Sequence, residues 1–412
     1  MAGKILVFFL LLATCSFLSS ARSYNGEWKL LEKSIGISAM HMALLPSDRI
    51  IAFDRTDMGP SNITLSDGRC LKVSKTIDCY AHSVEFNPAV GSVRPLTIFT
   101  DTWCSSGALL ADGVLVQSGG YGDGDRVVRR ESLRFRKRPC NSSRLCERQG
   151  YSKLSGFAGG FSRNYPSTGS SALLPLKLLN GRTPDAEVVV CGGTLPNSNV
   201  KANAGVFLPA AKTCGRLVIT AANPEWEMEE MPLNRVMGDM IMLPTGHVLI
   251  INGAAKGTAG WEVATEPVLN PVLYSPEKPR ISRFEVLSAS KIPRLYHSSA
   301  QLLSDGRVLV GGSNPHRNYN FTTLYPTDLS LEAFYPPYLT SGKSRPSISW
   351  VKPGAELVYN QRVSLGFYSM EKMSPRRCTL CSGHCLGGTA RYYLLFVVHG
   401  GVPSNGTWVH IK

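Results

Sequence analysis

Beyond its first two dozen residues the chain has no apolar run near the about 20 residues that a helix needs to cross a bilayer, so no membrane span is expected. Stretches of helical periodicity are nearly absent too. Charge is sparse, with Asp, Glu, Lys and Arg making up 18% of 412 residues. In place of 3.6-residue stripes stand short aliphatic runs broken by 39 glycines and 26 prolines, a pattern that predicts an all-β chain. Aromatic interleaving is slight where the charge gathers. The window from Arg126 to Arg148 carries nine basic and two acidic residues, and that from Glu371 to Arg391 four and one. Together these windows hold +10 of the formal +14, and the remainder is nearly neutral. Basic patches without aromatic platforms do not make a nucleic-acid site, so no nucleic-acid partner is expected.

What is present at the start is Lys4, an apolar run from Ile5 to Ala13, and then Ser19, Ser20 and Ala21. That order is a secretory signal, expected over residues 1–23, and its apolar core is too short to span a membrane. Export gives the cysteines their meaning. Ten of eleven remain once Cys15 is removed, in a compartment that permits disulfides. Cys70 and Cys79 bracket a short polar loop and Cys191 and Cys214 a longer one, so both pairs suit local bridges. The pairing of Cys140, Cys146, Cys378, Cys381 and Cys385 stays open. Sequons at Asn62, Asn141, Asn320 and Asn405 predict a glycosylated surface.

One unit recurs: small residues, an apolar strand, a turn, a second aliphatic strand, then glycine. It begins at Met40, Ser105, Ser170, Gly238 and His297, with turns near Asp48, Asp112, Gly181, Thr245 and Asp305. Asp-Gly between apolar strands predicts a tight hairpin whose two central residues take positive φ. A hairpin every sixty to seventy residues or so predicts a propeller. The units stop near Tyr338. From Arg345 the chain alternates apolar and polar again, which predicts a small immunoglobulin-like sandwich, shorter than the usual hundred residues or so.

Particular residues then carry a family resemblance. SIGISAMHMALL, FDRTDMGPSNITL, DCYAHSVEF, TDTWCSSGALLADGVLVQSGG, SRNYPSTGSSALLPL, NPEWEMEEMP, PRLYHSSAQLLSDGRVLVGGSNP and LEAFYPPYL resemble plant glyoxal oxidase-like (aldehyde oxidase) proteins. The match runs from about Ser34 to Arg129, from about Ser162 to Phe367, and again from Tyr392 to Lys412. The resemblance implies a galactose oxidase-like, kelch-type β-propeller over 24–343, followed by an early-set sandwich over 344–412. It implies oxidation of a small aldehyde to a carboxylic acid with O2 reduced to H2O2, by one copper and one protein radical. It also implies a monomer secreted to the cell wall or apoplast, where anionic polysaccharide is a partner suited to the basic windows.

By that resemblance Cys104 in TWCSSG matches the thioether cysteine, and Tyr296 and His297 in RLYHSS match the axial tyrosine and a histidine ligand, a mixed set suited to Cu(II). Neighbouring strand residues face opposite ways, so such a pair shares a metal only at a strand end or bend. The radical tyrosine, in a motif like RWYAT, and the second histidine, in one like THSFSMNQR, have no counterpart. Residues 131–161 and 368–391 depart from the family pattern, and charge, cysteine content and pattern change together there, as loss of exons would produce. Five of the family's seven blades are recognisable. His384 is a candidate replacement ligand with no spacing to support it. Cys378-x2-Cys381-x2-His384-Cys385 is too irregular for a zinc knuckle. Whether this chain is an active oxidase, or an inactive secreted propeller that binds cell-wall carbohydrate, is left open by the missing tyrosine.

Overall fold

This computed structural model describes residues 25–412 except 74–75, 111, 126, 132–135, 139–158, 177–184, 359–361, 370–371 and 382–390. The secretory segment expected over 1–23, together with Cys140, Asn141, Cys146, His384 and Cys385, lies outside the described residues. Those described form five four-stranded antiparallel sheets, smaller hairpins and a C-terminal pair of three-stranded sheets. The first sheet comprises His41–Leu44, Ile50–Phe53, Ser83–Asn87 and Ser92–Leu96, and the second Ser106–Leu109, Leu115–Ser118, Val128–Glu131 and Arg136–Arg138. The third comprises Gly169–Leu173, Glu187–Gly192, Thr213–Val218 and Glu227–Glu230, and the fourth Asp239–Met242, Val248–Ile251, Val272–Tyr274 and Phe284–Val286. The fifth joins Ser298–Leu302, Val308–Gly312 and Leu331–Tyr335, and its outer place is taken by the N-terminal strand Glu27–Glu32.

In the first, fourth and fifth sheets the second strand is apolar throughout because it serves two cores. Side chains alternate between faces along a strand. Val248 and Ile250 therefore enter the core shared with the third sheet, and Leu249 and Ile251 the core shared with the fifth. Val308 and Val310 face the fourth sheet, while Leu309 faces the first. Ile50 and Ala52 face the fifth sheet, and Ile51 and Phe53 pack with Leu115 of the second. The sheets thus adjoin in the order second, first, fifth, fourth, third. Each large aliphatic side chain so buried contributes about 1.5–3 kcal/mol.

The hairpin turns differ from the two-residue form expected. Gly113, Gly246 and Gly306 take positive φ of 76°, 81° and 87°, whereas Asp112, Thr245 and Asp305, which precede them, do not. In the fifth sheet Gly306 N donates to Leu303 O (3.0 Å) and Leu303 N to Arg307 O (2.8 Å), so the turn closes before a single left-handed residue. Asp48 holds that left-handed place in the first sheet. The aspartates earn their position differently: Asp305 Oδ1 accepts from Arg307 N and Asp112 Oδ1 from Val114 N, each at 3.0 Å. A short side-chain acceptor two residues upstream stabilises the turn without needing positive φ.

Two stretches that look patternless contain strands. Arg136–Arg138 is the outer strand of the second sheet, paired with Val128–Glu131. Lys372–Cys381 pairs with Arg362–Ser369 in the first of the C-terminal sheets, beside Ser347–Lys352. At a sheet's edge the partner's backbone supplies the register, so apolar alternation is not required. The other C-terminal sheet joins Glu356–Leu357, Thr407–Ile411 and Arg391–Leu395. Leu357, Leu365, Phe367, Val397 and Val409 form the core between them. Trp408 Nε1 donates to Asp48 Oδ1 (2.8 Å) and Gly406 N to Ser304 O (2.6 Å), which docks this unit on turns of the first and fifth sheets.

Among the described residues two disulfides are formed. Cys70–Cys79 closes the small hairpin of Leu71–Val73 and Thr76–Asp78, and Cys191–Cys214 links directly opposed residues of the third sheet.

Candidate functional site

The fifth sheet brings the first pair of site residues together. Before strand Ser298–Leu302 the backbone bends: Ser298 N donates to Leu295 O, Asn314 N to Tyr296 O (2.8 Å) and Ser313 N to His297 O (3.0 Å). His297 itself is left-handed, with φ 64°. That conformation, costly for a residue with a Cβ, turns its ring to the same side as Tyr296, and the two rings stack at 3.9 Å between centroids. Gly312 makes room for the bend, since a Cβ there would lie 2.5 Å from both His297 O and Ala39 O.

Cys104 lies in the connection between the first and second sheets. Asp101 shapes it: Oδ1 accepts from Trp103 N (2.8 Å) and Tyr121 N (3.2 Å), and Oδ2 from Thr56 N (2.8 Å). Cys104 is exposed and, among the described residues, the free cysteine. Its φ of 58° makes it a second left-handed non-glycine residue at the site. Partial burial of its thiol and the charge of Asp101 push its pKa up, against the pull of Arg55.

Between these pairs stands a cluster that the sequence reading did not single out. Trp103 stacks on Trp261 at 5.2 Å and meets His297 edge to face at 6.5 Å. The buried Arg55 guanidinium lies 4.3 Å from the Trp103 ring centre and 4.9 Å from that of Trp261. Arg55 Nε donates to Asp57 Oδ1 (2.8 Å), and its backbone N donates to Asp54 Oδ1. Tyr165 enters from the segment preceding the third sheet, its hydroxyl 3.4 Å from that of Tyr296. Arg55 within FDRTD and Trp103 beside Cys104 were the available signals; nothing local marks Trp261 or Tyr165.

The electrostatics are set by burial. His297 is held down to about 3 by burial and then by the positive charge of Arg55, so its ring is neutral. Its Nδ1 is sealed from solvent without a hydrogen-bond partner among the described residues. Tyr296 is pushed well above the ordinary phenol range by burial and by the Tyr165 hydroxyl, with Trp103 acting in the opposite sense. The buried Asp54 carboxyl rises to about 6 through burial, although Tyr319, Arg55 and Ser38 all donate to it.

The fold is similar to that of a fungal alcohol oxidase of the AA5 family solved in complex with copper. The TM-score is 0.60 over 94% of this chain and 99% of that one, at 13% identity, a likeness of fold alone. The Glyoxal oxidase N-terminus family model matches residues 40–156 and 149–338. The chain is 33% identical over 518 residues to the aldehyde oxidase GLOX of Vitis pseudoreticulata, covering 94% of this chain and 97% of that protein. It is 31% identical over 522 residues to the aldehyde oxidase GLOX1 of Arabidopsis thaliana, covering 94% and 85%. The chain is thus an all-β protein with the fold of that fungal oxidase. Within that class, the chain belongs to the glyoxal oxidase family.

Copper is the metal this family implies. Among the described residues no three His, Cys, Asp or Glu side chains gather as a metal site. The fit therefore turns on phenols and one imidazole. His297 offers a neutral ring with an orphaned nitrogen, and Tyr296 an adjacent phenol oxygen. These are donors suited to Cu(II). Of the other described histidines, His41 is engaged with Gln117, His82 with Asp78, His247 with Thr245, His316 with Glu262 and His410 with Glu356.

Proposed function

We propose that the chain is a secreted aldehyde oxidase of the copper-radical type, oxidising a small aldehyde to its carboxylic acid while O2 is reduced to H2O2. The observation that carries this reading is the bend at Tyr296–His297, which presents a phenol and a neutral imidazole together beside the Trp103–Cys104 turn. When bound, copper supplies a one-electron redox centre next to phenol side chains. Tyr296 and His297 would hold it. Burial holds the proton on Tyr296 Oη, and burial with Arg55 keeps the His297 ring unprotonated. Trp103 and Trp261 exclude water from the Arg55 side of the site. Cys104 is the sulfur that a thioether to a phenol would use.

We read the five sheets as blades of a propeller spanning 24–343 that lacks two of seven between Gly120 and Ser162, with 344–412 as a shortened early-set domain. Secretion to the apoplast as a monomer, glycosylation at the exposed Asn62 and Asn405 and at the half-buried Asn320, and contact of the basic windows with anionic polysaccharide belong to the same reading. The test is peroxide release from glyoxal and methylglyoxal by the copper-loaded protein. Release that is lost in His297→Ala supports the enzyme; copper-loaded protein that releases none sinks it. Abolition by Cys104→Ala would mean that some tyrosine of this chain works with that sulfur.

A second reading, an inactive protein that binds carbohydrate, has its own observation. A cleft of about 520 Å3 is lined by Phe161, Tyr165 and Trp226, with Asn164, Asn197 and Asn199 among its polar groups. Aromatic faces and convergent amides suit a sugar ring. Retention on polygalacturonate without peroxide chemistry would favour it.

A further inference from the structure

The hydroxyls of Tyr165 and Tyr296 are 3.4 Å apart. A good hydrogen bond between two hydroxyls is shorter, near about 2.7–2.8 Å. The separation also lies within the range spanned by two oxygens on one divalent metal. With metal–oxygen bonds of about 2.0 Å, oxygens at a right angle lie about 2.8 Å apart and opposed oxygens about 4.0 Å. A gap of 3.4 Å falls between these limits, so the spacing suits a shared ion. The imidazole of His297 is already stacked on Tyr296 at 3.9 Å and carries a sealed nitrogen with no hydrogen-bond partner among the described residues. Tyr165 is 63% exposed, so its ring is free to adjust by tenths of an ångström without disturbing a core.

We propose that Tyr165 is a metal ligand of this chain, its phenolate oxygen joining that of Tyr296 and a ring nitrogen of His297 on one Cu(II) ion. The proposal rests on the copper reading above and adds a residue that the TWCSSG and RLYHSS motifs do not supply. Two phenolates and one imidazole form an N/O set of the kind Cu(II) accepts. Tyr165 thereby also forms the wall between the metal and the cleft that contains Phe161 and Trp226.

The test is titration of the chelator-stripped full chain with Cu(II), followed by visible absorption and electron paramagnetic resonance. Wild type should bind one copper with a phenolate-to-copper band. Tyr165→Phe should weaken copper binding by at least about tenfold and remove about half of that band, with an unchanged far-ultraviolet circular dichroism spectrum. Tyr296→Phe should do likewise, and the double variant should show no band. If Tyr165→Phe keeps both affinity and band while Tyr296→Phe loses them, the proposal is overturned and the copper reading stands. If wild type takes up no copper, both are overturned.

Discussion

His297 should make the metal-free protein acid-sensitive by an amount that can be worked out. Its folded value is about 3, lowered first by burial and then by Arg55, against an ordinary value of 6.5. A depressed folded value means stability that is present above 6.5 and lost progressively as pH falls towards 3, because only the unfolded chain takes up the proton. Between pH 7 and pH 4 the imbalance integrates to about 3 kcal/mol, at about 1.36 kcal/mol per pH unit. Other groups titrate over the same range, and the raised Asp54 and Asp239 oppose the trend. Comparison with His297→Gln removes them, since they are common to both proteins. Denaturant midpoints at pH 4 and pH 7, in metal-free buffer, should therefore fall more for wild type than for the variant. Equal losses would show that the ring is not held neutral.

Arg55→Met should cost about 2 kcal/mol or more, since a desolvated cation beside two stacked indoles is lost, and denaturant unfolding checks it. Tyr319→Phe should cost about 1 kcal/mol more at pH 8 than at pH 4. Asp54 has a raised folded value near 6, so its neutral form dominates at pH 4, and the Tyr319 hydroxyl matters most to the charged carboxylate. Replacing Cys191 and Cys214 together by Ser should cost about 2–4 kcal/mol, and non-reducing peptide mapping of the native protein should find Cys104 open to alkylation. A bridge from Cys104 to another cysteine would end its candidacy as the thioether residue.

The hairpins were legible because their second strands are rich in aliphatic residues and, in the second and fifth sheets, follow Asp-Gly turns. Strand Glu27–Glu32 was not, since EWKLLE has no clean alternation and is a strand only because Leu331–Tyr335 offers it an open edge. Lys372–Cys381 was invisible for the same reason: its register comes from Arg362–Ser369. At the site, Cys104, Tyr296 and His297 could be picked out by motif. Arg55, Tyr165 and Trp261 reach it from three separate connections, and pattern within a window cannot detect residues whose only common property is where the sheets place them.

The placement of Tyr165 follows from a seam. The alignments to the plant aldehyde oxidases run over 518 and 522 residues, longer than this whole chain. The family model also matches in two pieces that meet at 149–156. In the first, fourth and fifth sheets the second strand is buried on both faces throughout. In the second sheet Val116 and Ser118 are open on one side, and in the third so are Val188 and Val190. Among the described residues no core cluster joins these two sheets. The third sheet's open face lines, with Tyr165, one cleft. Neighbouring valines on one strand therefore test the seam with the chemistry held constant. Val189 is wholly buried in the core shared with the fourth sheet, and Val189→Ala should cost about 2 kcal/mol by leaving a cavity. Val190 faces the cleft, where the lost methyls leave only more open space, so Val190→Ala should cost less than about 1 kcal/mol. Equal costs in denaturant unfolding would mean that something packs against the Val190 face, and that the ring has no seam there.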